Sequence, residues 1–201
     1  MNNLGSFVTS FALALWVSAF LLKVGKNWLL DIPSGRKIHK QPVPRTGGLA
    51  LGGGFFLCLF LFGFAEDLWW YLAGALPLFI MGAADDHRSI RWPIKLLIEL
   101  VVSSVIIFRF IGDVTAIAFF TTSLGFSSLG LIAIFLIWFV GILNAVNLID
   151  GMDGLAGGFM LIVTVFAILV GMVSNNEHFV FVNMLLLGSL VGFLLFNRKP
   201  A

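Results

Sequence analysis

The chain has 201 residues, 60% hydrophobic and 11% charged, with a formal net charge of +2. Soluble domains carry about 25% charged residues and are about half apolar, so this composition excludes an ordinary water-soluble fold and makes the bilayer the solvent. Cys58 is the one cysteine and sits in an apolar run, which offers no disulfide framework and leaves it as a small hydrophobe.

A spanning helix needs about 20 mostly apolar residues. In chain order, candidate spans lie at 5–24, 47–65, 68–84, 95–111, 129–147, 155–174 and 179–196. The first has an apolar centre from Phe7 to Leu22 and the length of a secretory signal. No basic residue precedes it, Lys23 and Lys26 follow it, and no small-residue cleavage site comes after, so it reads as the first membrane helix. The stretch from Val114 to Ser128 is apolar but rich in Thr, Ser and Gly. It reads either as a re-entrant or interfacial piece or as an extension of the fifth helix. No internal repeat is evident. The expected fold is all-α: a polytopic membrane helical bundle of about seven transmembrane helices, with residues 1–201 forming a single transmembrane domain.

Lysine and arginine set the orientation. Lys23, Lys26, Arg36, Lys37, Lys40 and Arg45 follow the first span; Arg88, Arg91 and Lys95 follow the third; Arg198 and Lys199 follow the seventh. Of the 12 basic residues these 11 share one side, and only Arg109 lies near the other. The expected topology places the N-terminus outside and the C-terminus in the cytoplasm. Glu66, Asp67, Asp113 and Glu177 fall in the outer connections, with Trp69, Trp70 and Tyr71 as an aromatic belt.

The inner side carries three polar segments. The first runs from Asp31 through Pro33, Arg36, Lys37, His39, Pro42, Pro44 and Arg45 to Gly47 and Gly48. A positive-inside anchor explains its charge; the close packing of prolines, a histidine and paired glycines suits a shaped loop whose cations meet phosphate. The second is Gly82-Ala83-Ala84-Asp85-Asp86 at the inner end of the third span. It reads either as a solvated loop start or as a divalent-cation site, since Mg²⁺ favours one or two carboxylates plus substrate phosphates. Lys95 and Glu99 follow at helical spacing, facing that site or pairing with each other. The third, Asn144-Ala-Val-Asn147-Leu-Ile-Asp150-Gly-Met-Asp153-Gly-Leu-Ala-Gly157, interrupts two apolar helices. A helix end would put Asn144 and Asn147 on one face, with Asp150 and Asp153 lining the same cavity; a plain glycine-rich hairpin accounts for the glycines but not for the polar residues. Four carboxylates beside so many cations are what phosphoryl transfer requires.

These segments resemble the polyprenyl-phosphate N-acetylhexosamine-1-phosphate transferases of glycosyltransferase family 4. The resemblance rests on Asp31 to His39 with Pro42 to Gly48, on Asp85-Asp86 with Lys95, and on Asn144-x-x-Asn147-x-x-Asp150-Gly-x-Asp153-Gly-Leu, in the family's order and spacing. Pro44-Arg45-Thr46-Gly47-Gly48 resembles the UDP-GlcNAc-using branch more than the peptidoglycan branch.

The resemblance implies transfer of N-acetylhexosamine-1-phosphate, GlcNAc-1-phosphate first among the candidates, from the UDP-sugar to undecaprenyl phosphate. The products would be a lipid-linked sugar diphosphate and UMP, in the first membrane step of a cell-surface polysaccharide such as lipopolysaccharide O-antigen. By position it implies Asp85, Asp86, Asp150 and Asp153 as catalytic residues. Lys37, His39, Arg45, Lys95, Asn144 and Asn147 would bind substrate, and Asp85, Asp86 and Asp150 would lie at Mg²⁺, with Mn²⁺ as an alternative. The implied setting is the bacterial cytoplasmic (inner) membrane, with the site facing the cytoplasm. The implied partners are UDP-N-acetylhexosamine, undecaprenyl phosphate and the bilayer, with a homodimer as a further candidate; no nucleic acid is expected.

Family members usually continue past this point into a Gly-Asp-x-Gly-Ser motif and a histidine-rich inner loop. The chain stops at Ala201, so it is expected to be a fragment or truncated product, binding neither metal nor substrate well. The rival readings are an ion-coupled transporter, which the helix-end position of the acids disfavours, and a catalytically inactive scaffold.

Overall fold

The computed structural model describes residues 3–25, 30–31, 43–44, 47–62, 68–115, 128–150 and 154–197. Among these residues are α1 (Asn3–Gly25), β1 (Leu30–Asp31), β2 (Val43–Pro44), α2 (Gly47–Phe62), α3 (Leu68–His87), α4 (Trp92–Thr115), α5 (Ser128–Ile149), α6 (Leu155–Val173) and α7 (Glu177–Leu194). The expected all-helical architecture is present. A two-residue antiparallel pairing of β1 with β2, Leu30 opposite Pro44, is the departure from it. Lys37, His39, Arg45 and Asp153 lie outside the described residues, as does 116–127, the stretch that sequence left between a re-entrant piece and a longer fifth helix.

Four helices, α1, α5, α6 and α7, are by themselves long and apolar enough to cross a membrane, and α2 is a shorter apolar helix. Helices α3 and α4 have the length but carry charge, with Asp85 and Asp86 on one and Lys95, Glu99, Arg109 and Asp113 on the other. Large apolar side chains point outward all along the helices: Phe60, Phe108, Ile137, Phe166 and Val173 are each more than 60% exposed. Such a surface belongs in lipid rather than water. The chain is a multi-pass membrane protein.

It forms two compact units, Met1–Leu68 with Ile149–Ala201, and Trp69–Leu148. In the first, α7 is the hub, packing on α1, α2 and α6. Lipid removes the hydrophobic drive between helices, so close contact must come from small side chains. Ser6, Ser10, Ala14 and Ser18 recur every fourth residue on α1, which stacks them on one face. All four are at most 3% exposed. Gly188 and Gly192 of α7 meet that face. A Cβ on Gly192 would come within 2.8 Å of the Ala14 Cβ, and one on Gly54 of α2 within 3.0 Å of it. Ala14 thus sits where three helices converge.

Helices α6 and α7 form a tight hairpin. Asn175 takes φ 53, a left-handed conformation that asparagine tolerates. The Asn176 side chain accepts from the Phe179 N–H at 3.0 Å and caps α7. Asn176 N–H in turn donates to Gly171 O at 2.9 Å.

In the second unit α3 and α4 are an antiparallel hairpin. Trp70 faces Arg109, whose guanidinium lies 5.3 Å from the indole centroid. A Cβ on Gly74 would lie 3.1 Å from Ile106 Cδ1, and Asp85 bonds Lys95 at 2.6 Å. Trp70 and Asp85 are fifteen residues apart on α3, so the aromatic and the acidic ends are separated by about 22 Å at 1.5 Å per residue. Pro77 lies inside α3, a position that membrane helices tolerate.

The small-residue seam predicts an asymmetry between two glycines. A Cβ on Gly188 would strike Ser10 Oγ and stand 2.5 Å from Phe7 O, whereas one on Gly158 meets nothing within 4 Å. Gly188→Ala should cost about 1–3 kcal/mol; Gly158→Ala should be neutral or stabilising by up to about 1 kcal/mol. Thermal unfolding of the purified chain in detergent separates the two, and equal midpoints would rule out the seam.

Candidate functional site

The α3–α4 turn brings together two of the residues singled out in the sequence. Helix α3 runs through Asp85 and Asp86 to His87, and α4 starts at Trp92. The acidic pair therefore occupies the last turn of a helix rather than the start of a loop, and Lys95 falls in the first turn of the next. A carboxylate near a helix C-terminus meets the negative end of the dipole and needs compensation. Asp85 finds it twice: Ile90 N–H donates to Oδ1 at 2.7 Å and Lys95 Nζ to Oδ2 at 2.6 Å. The Ala84 carbonyl accepts from Arg88 N–H at 2.8 Å and tightens the same turn. Lys95 and Asp85 are about a quarter and a third exposed, so the ion pair stands at the edge of the protein rather than in a sealed interior.

One turn along α4, Glu99 has a different partner. Its Oε2 accepts from Asn144 Nδ2 of α5 at 2.6 Å, and Glu99 is only 6% exposed. Asn144 Nδ2 also donates to Val140 O, four residues back, at 2.9 Å. The sequence left Lys95 and Glu99 between facing a polar site and pairing with each other; in the structure each turns to a neighbouring helix. Glu99 was not singled out as a site residue. The available signal was an acidic residue in the run Lys95-Leu-Leu-Ile-Glu99-Leu-Val-Val, which must be paired or functional at membrane depth.

Asn147 lies one turn beyond Asn144 and is exposed. Helix α5 ends at Ile149, and Asp150 begins the turn that follows. Its residue surface stays open, yet partial burial of the carboxyl raises its pKa above the usual aspartate value. Such a group gains from a cation brought close to it. Gly154 takes φ 73 and leads into α6; a Cβ there would also meet Asn197 O at 3.3 Å. A left-handed residue there favours glycine immediately ahead of the helix.

No group of three His, Cys, Asp or Glu side chains able to hold a metal occurs among the described residues. Mg²⁺ does not need one, since it is commonly held by one or two carboxylates with the phosphates of its substrate. The hard oxygens of Asp85-Asp86 fit that chemistry.

Comparison with known proteins gives a consistent family. The model for glycosyl transferase family 4 matches residues 68–201. A relative from Bacillus subtilis (strain 168), described as a probable undecaprenyl-phosphate N-acetylglucosaminyl 1-phosphate transferase, is 29% identical over 98% of this chain and 56% of its own length. The undecaprenyl-phosphate alpha-N-acetylglucosaminyl 1-phosphate transferase of Thermotoga maritima is 33% identical over 77% of this chain and 46% of its own. A phospho-N-acetylmuramoyl-pentapeptide-transferase from Caldanaerobacter subterraneus is 32% identical over 90% of this chain and 60% of its own. The chain thus spans about half the length of these relatives.

The turn geometry predicts that Asp85 and Lys95 contribute unequally to stability. Asp85→Ala strands the Ile90 N–H as well as Lys95 and should cost about 1–2 kcal/mol. Lys95→Met keeps the bond from Ile90 and removes only a partly solvated pair, costing less than about 1 kcal/mol. Thermal unfolding and proteolysis within residues 88–91 provide the comparison.

Proposed function

Since the chain belongs to glycosyl transferase family 4, we propose that it carries part of the active site of a membrane transferase that moves N-acetylhexosamine-1-phosphate from a UDP-sugar to undecaprenyl phosphate. GlcNAc-1-phosphate is the favoured group. The phosphate oxygen of the lipid attacks the β-phosphorus, a new P–O bond forms, the bond to the α-phosphate breaks, and UMP departs. The observation that carries this reading is the Asp85–Lys95 pair at the turn of the α3–α4 hairpin, inside the matched segment. It sets a carboxylate and a cation where an apolar bundle could present a lipid phosphate.

On this reading all seven helices cross the inner membrane as one transmembrane domain, with the N-terminus outside and the basic loops and the site in the cytoplasm. Asp85, Asp86 and Asp150 would hold Mg²⁺, with Asp153 beside them. When bound, the ion would neutralise charge on the diphosphate and align it. Lys37, His39, Arg45 and Lys95 would bind phosphates, while Asn144 and Asn147 would shape the nucleotide side of the cavity. Lys95 already neutralises Asp85, which lets a carboxylate and an incoming phosphate share one edge without net repulsion. The UDP-GlcNAc branch is supported by Pro44-Arg45-Thr46-Gly47-Gly48 and by the names of two relatives. The second reading, transfer of phospho-N-acetylmuramoyl-pentapeptide, is supported by the Caldanaerobacter relative.

The deciding assay uses membranes containing this chain, or a version extended to the length of its relatives, with Mg²⁺ and radiolabelled UDP-GlcNAc or UDP-N-acetylmuramoyl-pentapeptide. UDP-GlcNAc should label the lipid fraction, and EDTA should stop the reaction. Asp85→Asn, Asp86→Asn and Asp150→Asn should each reduce turnover by about 100-fold or more. Sugar–lipid formation that survives all three substitutions would refute the mechanism.

A further inference from the structure

We propose that Glu99 is a positioning residue: it locks the Asn144 amide so that Asn144 presents its side-chain oxygen, and not its nitrogen, to a bound ligand. As far as that ligand is a nucleotide sugar, this rests on the function proposed above.

The orientation of the amide follows from its surroundings. Glu99 Oε2 lies 2.6 Å from one end of it and Val140 O lies 2.9 Å from the same end. Both are acceptors, so that end must be the nitrogen, whose two N–H groups then serve both neighbours. Asn144 is exposed, and its Oδ1 takes no bond from the described side chains or turns. What it can offer a ligand is an acceptor. A phosphate oxygen would be repelled there; an N–H or O–H group, or a cation, would be bound. The group that meets Asn144 is therefore a cation or a hydrogen-bond donor such as an imide, amide or hydroxyl of the nucleotide sugar, while phosphates belong to the basic groups.

Glu99 is suited to this task by burial. A carboxylate 6% exposed in an apolar helix forms short, strong hydrogen bonds because water does not compete. Without Glu99, Asn144 would keep only the local bond to its own helix. With it, the C-terminal end of α5, which also carries Asn147, is tied to the helix that carries Lys95. The second unit thereby joins three helices through two polar links, Asp85 to Lys95 and Glu99 to Asn144, one helical turn apart on α4. No such tie is needed for helix packing alone, because an apolar residue at position 99 would pack without desolvating a charge.

Two readouts test this, the first on the 201-residue chain and the second on the chain extended to the length of its relatives. The first is maleimide labelling of a single cysteine at position 147, made by Asn147→Cys with Cys58→Ser, using an impermeant reagent on inside-out vesicles. Glu99→Leu should change the labelling rate about fivefold or more by freeing the end of α5. Glu99→Gln, whose carbonyl still accepts from Asn144, should label at the unsubstituted rate. The second is binding of tritiated UDP-GlcNAc in detergent. Glu99→Leu and Asn144→Leu should each weaken it about tenfold or more, the double variant no further than the worse single one, and Glu99→Gln by less than about threefold. A role in folding alone would lower the amount of binding-competent protein and leave Kd unchanged.

If labelling is the same in Glu99→Leu and Glu99→Gln, or if the two leucine effects on Kd add, the positioning role is overturned. If Glu99→Leu does not fold, Asn144→Leu against Asn144→Gln reads the same pair from its other side. Labelling that follows the prediction while even the extended, otherwise unsubstituted chain binds no nucleotide sugar would uphold the link and overturn the proposed function instead.

Discussion

Helices in lipid cannot be driven together by hiding apolar surface, because the solvent is as apolar as they are. Whatever holds this chain must come from backbones that approach closely and from polar groups that find each other. The first unit uses the former. Four small residues on one face of α1 let α7 approach until Gly188 and Gly192 touch its backbone, and Ala14 fills the point where α2 joins them. Large side chains could then be turned outward, and the exposure of Phe60, Phe166 and Val173 shows that they are.

The second unit depends more on the polar solution. Its α3–α4 hairpin is pinned near one end by Arg109 over Trp70 and at the other by Lys95 on Asp85. Between them Gly74 lies close against Ile106. Helix α5 joins α4 through Glu99 and Asn144. The groups that stabilise this unit are thus neighbours of, or identical with, those assigned to chemistry. An aspartate that holds a turn and a lysine that neutralises it are fixed in place by the fold; under the proposed function they would form a pre-set edge for an anion. The same economy means that substitutions there will disturb stability and chemistry together, and the two must be measured separately.

Membership of glycosyl transferase family 4 covers the segment that carries Asp85, Asp86, Lys95, Asn144, Asn147, Asp150 and Asp153. The basic loop with Lys37, His39 and Arg45 precedes that segment but lies within the stretch aligned to the Bacillus relative. Both halves of the proposed phosphate chemistry, carboxylates and cations, therefore fall in regions shared with known transferases.

By itself the sequence determined the solvent, the approximate helices and the family. Runs of apolar residues leave few alternatives to helix in a bilayer, since every backbone group must be satisfied within its own segment. Spacing alone could place Asn144 beside Asn147 and end α5 before Asp150. It could not say which helix a residue faces, because a helical face is defined only relative to a neighbour. Glu99 shows the limit: from the sequence it was a candidate partner for Lys95, and only the packing of α4 against α5 turned it to Asn144. The stripe of Ser6, Ser10, Ala14 and Ser18 shows it again. Its four-residue period was written in the chain, but its meaning came from Gly54, Gly188 and Gly192, which are distant in sequence and meet it only in three dimensions.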